Sequence, residues 1–201
     1  MRTGLKSIFN LLKNDLMTSV RLKFLSLFLL GFMTLGILKA QEKTVMVGGA
    51  PMYPSKNIIE NAIHSKDHTT LVAAVKAAGL VNTLEGDGPF TVFAPTNEAF
   101  DKLPKGTVAN LLKPENKAQL VKILTYHVVP GKYDSKALMM LIRQGHGKAM
   151  LKTASGDMLT FRMKGHHLWV IDGKGDKAMV TIKDVYQSNG VIHVINRVLL
   201  P

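Results

Sequence analysis

Hydrophobic positions recur with two different periods along this chain, and the period changes near Gly147. Before that point the apolar side chains follow helical spacing, as they do in residues 71–78. Beyond it, apolar and polar side chains alternate, most clearly in residues 159–164, which is typical of a half-buried strand. Helices followed by antiparallel strands predict an α+β fold rather than a parallel α/β sheet.

The same pattern predicts the individual elements. A strand is expected at residues 90–94, ended by Pro95, and later strands at residues 168–171, 178–182 and 191–195. The helices are indicated by residues that typically cap their first turn and by glycines that typically end them. These helices are expected after Ser55, from Asp67 or Thr69 to Gly79, after Thr96, from Pro114 to Leu124, and from Asp134 or Ser135 to Gly145.

The first forty residues have the pattern of an export signal. Basic residues precede a largely apolar stretch at residues 24–38, and the small residue Ala40 follows it. The stretch is short for a membrane-spanning helix, which needs about 20 residues. We therefore predict a signal peptide at residues 1–40, with Met17 as a possible true start, and no membrane span after cleavage. Residues 41–52 are predicted to be a short tether and residues 53–201 a single domain.

Composition narrows the classes of function. The chain has no cysteine, which excludes thiol catalysis, thiolate metal sites and disulfides. No nucleophile elbow, zinc-protease helix or phosphate-binding glycine loop is present, so we predict a protein that is not an enzyme and needs no cofactor. Residues 132–201 hold eleven basic and five acidic side chains, a net charge of +6. Such an excess suggests a polyanionic partner, and export favours acidic polysaccharide or anionic envelope lipid over nucleic acid. The alternative interpretation is a solvated basic surface that aids solubility.

Three segments together resemble one known family. They are FTVFAPTNEAF at residues 90–100, LTYHVVPG at residues 124–131 and GVIHVINRVLLP at residues 190–201. In this order and spacing they are similar to the fasciclin domain, an extracellular adhesion module. The resemblance implies a wedge-shaped antiparallel β-sandwich flanked by helices, with the first and last segments paired near the core. It also implies that the partner is a glycan of the cell envelope or extracellular matrix, or a cell-surface protein.

Two residue pairs resemble sites that animal fasciclin domains use in integrin-mediated adhesion. They are Tyr126-His127 and Asp184-Val185. The alternative interpretation of the first pair is a strand in which the His127 imidazole forms a hydrogen bond with a buried backbone group. The same interpretation applies to His193. Both interpretations stay open at the level of sequence.

Two further hypotheses concern binding surfaces. If Leu159 and Phe161 face inward, Arg162 must stand on the exposed face of its strand and can join other cations in a polyanion-binding strip. The alternative is a small apolar ligand, such as a pigment or lipid, in a pocket lined by flexible methionines. The strip candidates are Lys148, Lys152, Arg162, Lys164, Lys174 and Lys177; the pocket candidates are Met139, Met140, Met150, Met158, Met163 and Met179. The adjacent pair His166-His167 is interpreted as part of a turn rather than as a metal site.

Overall fold

Seven strands form one hydrogen-bonded sheet in the computed structural model, which describes residues 43–201. The bounds of these strands are Phe90–Pro95 (β3), Val128–Pro130 (β4), Ala149–Lys152 (β5), Met158–Lys164 (β6), His167–Ile171 (β7), Lys177–Gln187 (β8) and Gly190–Ile195 (β9). The order across the sheet is β4-β3-β9-β8-β7-β6-β5. The predicted signal peptide, residues 1–40, lies outside the described residues.

The fold class is α+β, as predicted, and the two outer family segments do pair with each other. Their strands, β3 and β9, run parallel, with Phe93 opposite His193. This pair differs from the purely antiparallel sheet that was expected. Turn signals in a sequence report only hairpin neighbours, whereas β3 and β9 come from opposite ends of the domain. The other neighbouring strands are antiparallel.

The segment predicted to be a tether contributes to the folded domain from residue 45 onward. Strands β1 (Val45–Val47) and β2 (Ala50–Met52) form an antiparallel hairpin whose Val47 and Met52 side chains are buried. The turn between them needs glycine at position 48, where φ is +58°. A Cβ there would also lie 2.6 Å from the backbone nitrogen of Asp67. Gly48 is therefore the residue that allows a tight turn in this hairpin.

The ends of several helices follow from capping residues. Gly79 ends its helix in the left-handed conformation, while Thr96 and Asp134 each accept a hydrogen bond from a backbone N–H in the first turn. These three predicted caps are confirmed. The α-helices are α1 (Ile58–Ala62), α2 (Thr69–Ala78), α3 (Val81–Glu85), α4 (Asn97–Asp101), α5 (Thr107–Leu111), α6 (Lys117–Tyr126) and α7 (Ser135–Gln144), with 3-10 turns at Lys66–His68 and Pro114–Asn116.

Buried side chains form two apolar clusters. The first joins α1, α2 and α6 to β3 and β9, and the second joins α7 to β6, β7 and β8. In the second cluster the rings of Phe93 on β3 and Phe161 on β6 lie 5.2 Å apart. Ala154, in the turn after β5, donates its N–H to the carbonyl of Val128 on β4. These contacts bring the two ends of the curved sheet together and leave one face of β5–β8 open to solvent.

Candidate binding groove

The open face of strands β5–β8 is built by simple alternation. Along β6, Leu159 and Phe161 are fully buried, so Thr160 and Arg162 must point the other way. The strand register then places Arg162 opposite Trp169 on β7. The predicted orientation of β6 is confirmed.

A groove of about 620 Å³ runs over this face. Its apolar floor includes the half-buried ring of Trp169, and Met150 at its edge is 49% exposed. Four of the six predicted cations line it, whereas Lys152 and Lys174 do not. We call this feature the cationic groove; its lining residues are Lys148, Met150, Thr160, Arg162, Met163, Lys164, Trp169, Ile171 and Lys177.

The charges of the cationic groove have no compensation within residues 43–201. Its lining contains no carboxylate, and none of its four cations takes part in a salt bridge there. Within that range, the two salt bridges instead use Lys122 with Asp157 and Arg197 with Asp176. Four like charges around one concave surface create a positive potential that attracts an anion.

Trp169 is the groove residue that sequence reasoning missed. Its indole nitrogen is inaccessible to solvent and has no hydrogen-bond partner among the described residues. In the strand register, Trp169 stands between Arg162 on β6 and Met179 on β8. Residues 168–171 are all apolar, so no alternation in the sequence could place Trp169 on the open face; the register of β7 with β6 places it there.

Tyr126 and His127 lie at the end of a helix and are buried, so the expectation of a strand at this pair was wrong. Tyr126 is the last residue of α6, and its hydroxyl donates to the Met158 carbonyl at 3.0 Å and accepts from the Gly173 N–H at 2.8 Å. Burial of this hydroxyl raises the pKa of Tyr126. The side chain is fully enclosed, so it offers no surface to a partner.

The imidazole of His127 uses both of its nitrogens inside the domain. Nε2 accepts the N–H of Leu199 at 2.9 Å, so the hydrogen is on Nδ1, which donates to the Ile123 carbonyl at 2.8 Å. Burial lowers the pKa of His127 to about 4, because a charged ring would lose its hydration. The expected hydrogen bond to buried backbone is therefore confirmed. His127 ties the end of the chain to α6.

Asp184 is also engaged internally. It adopts a left-handed conformation, with φ of +60°, at an irregularity in β8. Its two carboxylate oxygens accept the N–H and the hydroxyl of Ser135, at 2.6 and 2.5 Å. Its own N–H donates to Nδ1 of buried His193 at 3.4 Å, and the neighbouring Val185 is buried in the core. Burial likewise lowers the pKa of His193.

The candidate methionines do not gather around one pocket. Met140 and Met158 are exposed, while Met139 and Met163 line clefts beside α7. An apolar cavity of about 100 Å³ does exist, but aliphatic side chains of α1, α2, α3 and α6 surround it and no methionine lines it. His166 and His167 are exposed in and beside a turn, and residues 43–201 contain no cluster of three potential metal-ligating side chains.

An α+β domain with this helical layer and mixed sheet has a solved counterpart in a cell-adhesion protein. The FAS1 domain pair of the insect cell adhesion molecule fasciclin I superimposes with a TM-score of 0.66 at 22% identity. The match covers 74% of this chain and 52% of the other, so the chain spans about half of that pair. This similarity shows the fold.

The chain belongs to the fasciclin domain family, whose model matches residues 66–201. The protein sll1483 of Synechocystis is 47% identical over 178 residues, covering 87% of this chain and 91% of that protein. Immunogenic protein MPB70 of Mycobacterium bovis is 37% identical over 70% of this chain and 66% of its own length. Human periostin is 33% identical over 71% of this chain and 16% of its own length.

Fasciclin domains are non-enzymatic modules for adhesion and extracellular binding. In the part of the chain that the structure describes, no helix has the length and apolarity needed to cross a bilayer.

Proposed function

We propose that this protein is an exported binding module whose cationic groove holds an anionic glycan of the cell envelope or extracellular matrix. The observation that carries the proposal is the convergence of four uncompensated cations around an apolar floor in a groove of about 620 Å³. Carboxylated and sulfated polysaccharides carry repeated negative charges, which match repeated cations along a groove.

The energetics favour a polymer over a small anion. An exposed ion contact contributes only about 0–1 kcal/mol, so useful affinity needs several contacts at once. The Trp169 ring adds an apolar surface on which the C–H face of a sugar can pack, at about 25 cal/mol for each Å² removed from water. A chain of sugars can use both features along the groove, whereas a lone anion uses one.

The test measures binding of the purified protein to polygalacturonate, a sulfated glycan and neutral dextran at low and high salt. We expect binding to the two anionic polymers that weakens steeply as salt screens the charges. The variant Arg162→Glu, Lys164→Glu, Lys177→Glu should lose about 30-fold in affinity, the equivalent of roughly 2 kcal/mol.

The control variant Lys105→Glu, Lys113→Glu, Lys117→Glu makes the same change in net charge with exposed lysines that do not line the groove. It should keep most of the binding. Equal losses in the two triple variants would show an unspecific charge effect and overturn the proposed surface. Binding that does not depend on salt would do the same.

A second candidate function is the binding of a small apolar molecule, and the cavity of about 100 Å³ favours it. Apolar cavities of about 150 Å³ bind molecules of benzene's size. Ala62 is one of the residues that line this cavity, so the variant Ala62→Phe should fill it. Methyl NMR shifts of the wild-type protein on adding benzene, lost in that variant, would support this function; no shift in the wild type would contradict it.

A further inference from the structure

A second concave site lies on the other side of strand β6, between helix α7 and the turn that joins β6 to β7. It consists of two adjoining cavities of about 140 and 550 Å³. Both are lined by Met139 of α7, Met163 of β6, His166 of the turn and Lys183 of β8. We call this feature the amphipathic cleft. It shares only Met163 with the cationic groove.

One part of the amphipathic cleft is apolar. The smaller cavity has Leu168 and Val180 in its wall beside the two methionines, and Ile142 contributes to the larger one. Methionine side chains are unbranched and adapt their shape to what they contact. Polar side chains, among them Ser135 and Thr181, line the rest of this cavity of about 140 Å³, so its apolar side suits a short hydrocarbon group.

The other part is positively charged. Lys183 lines both cavities and Arg143 lines the larger one, together with the imidazole of His166. Within residues 43–201, neither cation is held in a salt bridge, and no carboxylate lines either cavity. The carboxylate of Asp184, the residue after Lys183, accepts two hydrogen bonds from Ser135 and forms no salt bridge with Lys183. Arg143 and Lys183 are thus free to pair with an incoming anion.

We propose that the amphipathic cleft binds a small amphipathic carboxylate: a short acyl or aromatic body with one negative charge. The body would lie against Met139 and Met163, and the carboxylate would pair with Lys183 and Arg143. A guanidinium pairs with a carboxylate through two parallel hydrogen bonds, which suits Arg143 to this role. Burial of the hydrocarbon adds about 0.8 kcal/mol for each CH₂ group, so a body of several carbons compensates for the weak exposed ion contacts.

The experiment follows the methyl NMR signals of the methionines in the purified protein during titration with octanoate. The Met139 and Met163 signals should shift and saturate. The signal of Met140, the neighbouring residue that is 59% exposed and does not line the cleft, should not move. Octan-1-ol and octylamine carry the same chain with no charge and with a positive charge. Each should bind about tenfold more weakly, or not at all, because the ion contacts of the carboxylate with Lys183 and Arg143 are both lost.

Variants separate the contributions of charge and shape. Arg143→Gln with Lys183→Gln should weaken octanoate binding about tenfold and leave octanol unchanged. Met139→Gln should weaken both, and its matched control Met140→Gln should weaken neither. If the double variant does not fold, comparing octanoate binding by Met139→Gln and Met140→Gln still tests where the ligand binds.

Three results would overturn the proposal: no saturable shift with octanoate, equal binding of octanoate and octanol, or equal effects of the two methionine variants. The groove variant Arg162→Glu, Lys164→Glu, Lys177→Glu should bind octanoate as the wild type does. The glycan proposal for the cationic groove and the carboxylate proposal for the amphipathic cleft are therefore tested independently, and either can be wrong without the other.

Discussion

Two groups of polar residues in this domain differ in one respect, namely whether their polar atoms already have partners. Tyr126 and His127 are buried, and their hydroxyl and imidazole atoms all have hydrogen-bond partners; we call these two residues the buried network. The four cations of the groove form no salt bridge within the described residues. Buried polar groups with satisfied partners hold a fold together, whereas exposed charges without partners are free to bind.

The comparison changes how the family resemblance applies here. Of the residue pairs that resemble integrin-recognition sites, Tyr126, His127 and Val185 are buried, and a partner could reach them only if the domain opened. Asp184 is half-buried, and both of its carboxylate oxygens accept hydrogen bonds from Ser135. The basic residues, which carry no family signature, are the ones at the surface. A binding function for this chain is therefore better sought in its own charges than in the shared motifs.

The largest effect should come from removing the imidazole that links α6 to the end of the chain. His127→Ala leaves the buried N–H of Leu199 without an acceptor and opens a cavity beside it. We expect the free energy of unfolding to fall by about 3–5 kcal/mol, from the lost packing and the unsatisfied donor together. Urea denaturation measures this change.

Exposed His167 is the matched control, and His167→Ala should change the unfolding free energy by less than about 0.5 kcal/mol. Similar losses in the two variants would contradict the distinction between the buried network and the surface.

A second effect is a dependence of stability on pH. The pKa of His127 is about 4 in the folded domain and 6.5 in the unfolded chain, so between these values the unfolded state binds the extra proton. The stabilisation is complete above pH 6.5 and is lost as the pH falls toward 4, by about 3 kcal/mol. The lowered pKa values of buried His68 and His193 act in the same direction.

The measurement is urea denaturation at several pH values across this window. His127→Gln replaces the imidazole with a neutral amide that can still donate and accept, so the variant should fold and show a flatter dependence on pH. An equally steep dependence in the variant would mean that other groups cause it. Asp134 is not such a group. Its pKa is lowered in the folded domain, so its contribution to stability is lost only as the pH falls below 3.8, the ordinary pKa of this side chain.

Local signals in the sequence explain which parts of the fold could be predicted. Gly79, Thr96 and Asp134 act within one turn of their own helices, so their roles follow from chemistry that a short window contains. The alternation around Phe161 likewise fixed which side chains of β6 face outward. The same alternation brought Arg162 and Lys164 to the groove without any knowledge of the partner strands.

The features that sequence reasoning missed depend on distant residues. An apolar run such as residues 120–129 does not by itself distinguish a helix from a strand, and here α6 ends at Tyr126 before β4 begins. Pairing of β3 with β9 and the position of Trp169 beneath the cations require the strand order of the sheet. The amphipathic cleft requires the packing of α7 on β6 and β8, which no local pattern reports.

The smallest effect on stability should come from the groove itself. Replacing Arg162, Lys164 and Lys177 with glutamine removes three charges that have no partner within the described residues, so each change should alter the unfolding free energy by less than about 0.5 kcal/mol. The sum can even be stabilising, because the substitutions relieve repulsion between like charges. The same variant should lose its binding to anionic glycans.

Stability and binding measured on the same preparation test whether the two groups of residues have separate roles. A groove variant that unfolds as readily as His127→Ala would show that the cations support the fold, and the distinction based on partners would then be wrong. A variant that keeps its stability and its glycan binding would leave the fold account intact and remove the groove as the binding surface. We expect the groove variant to keep its stability and to lose its glycan binding. Removing a charge that has no partner within the described residues should change the unfolding free energy only slightly.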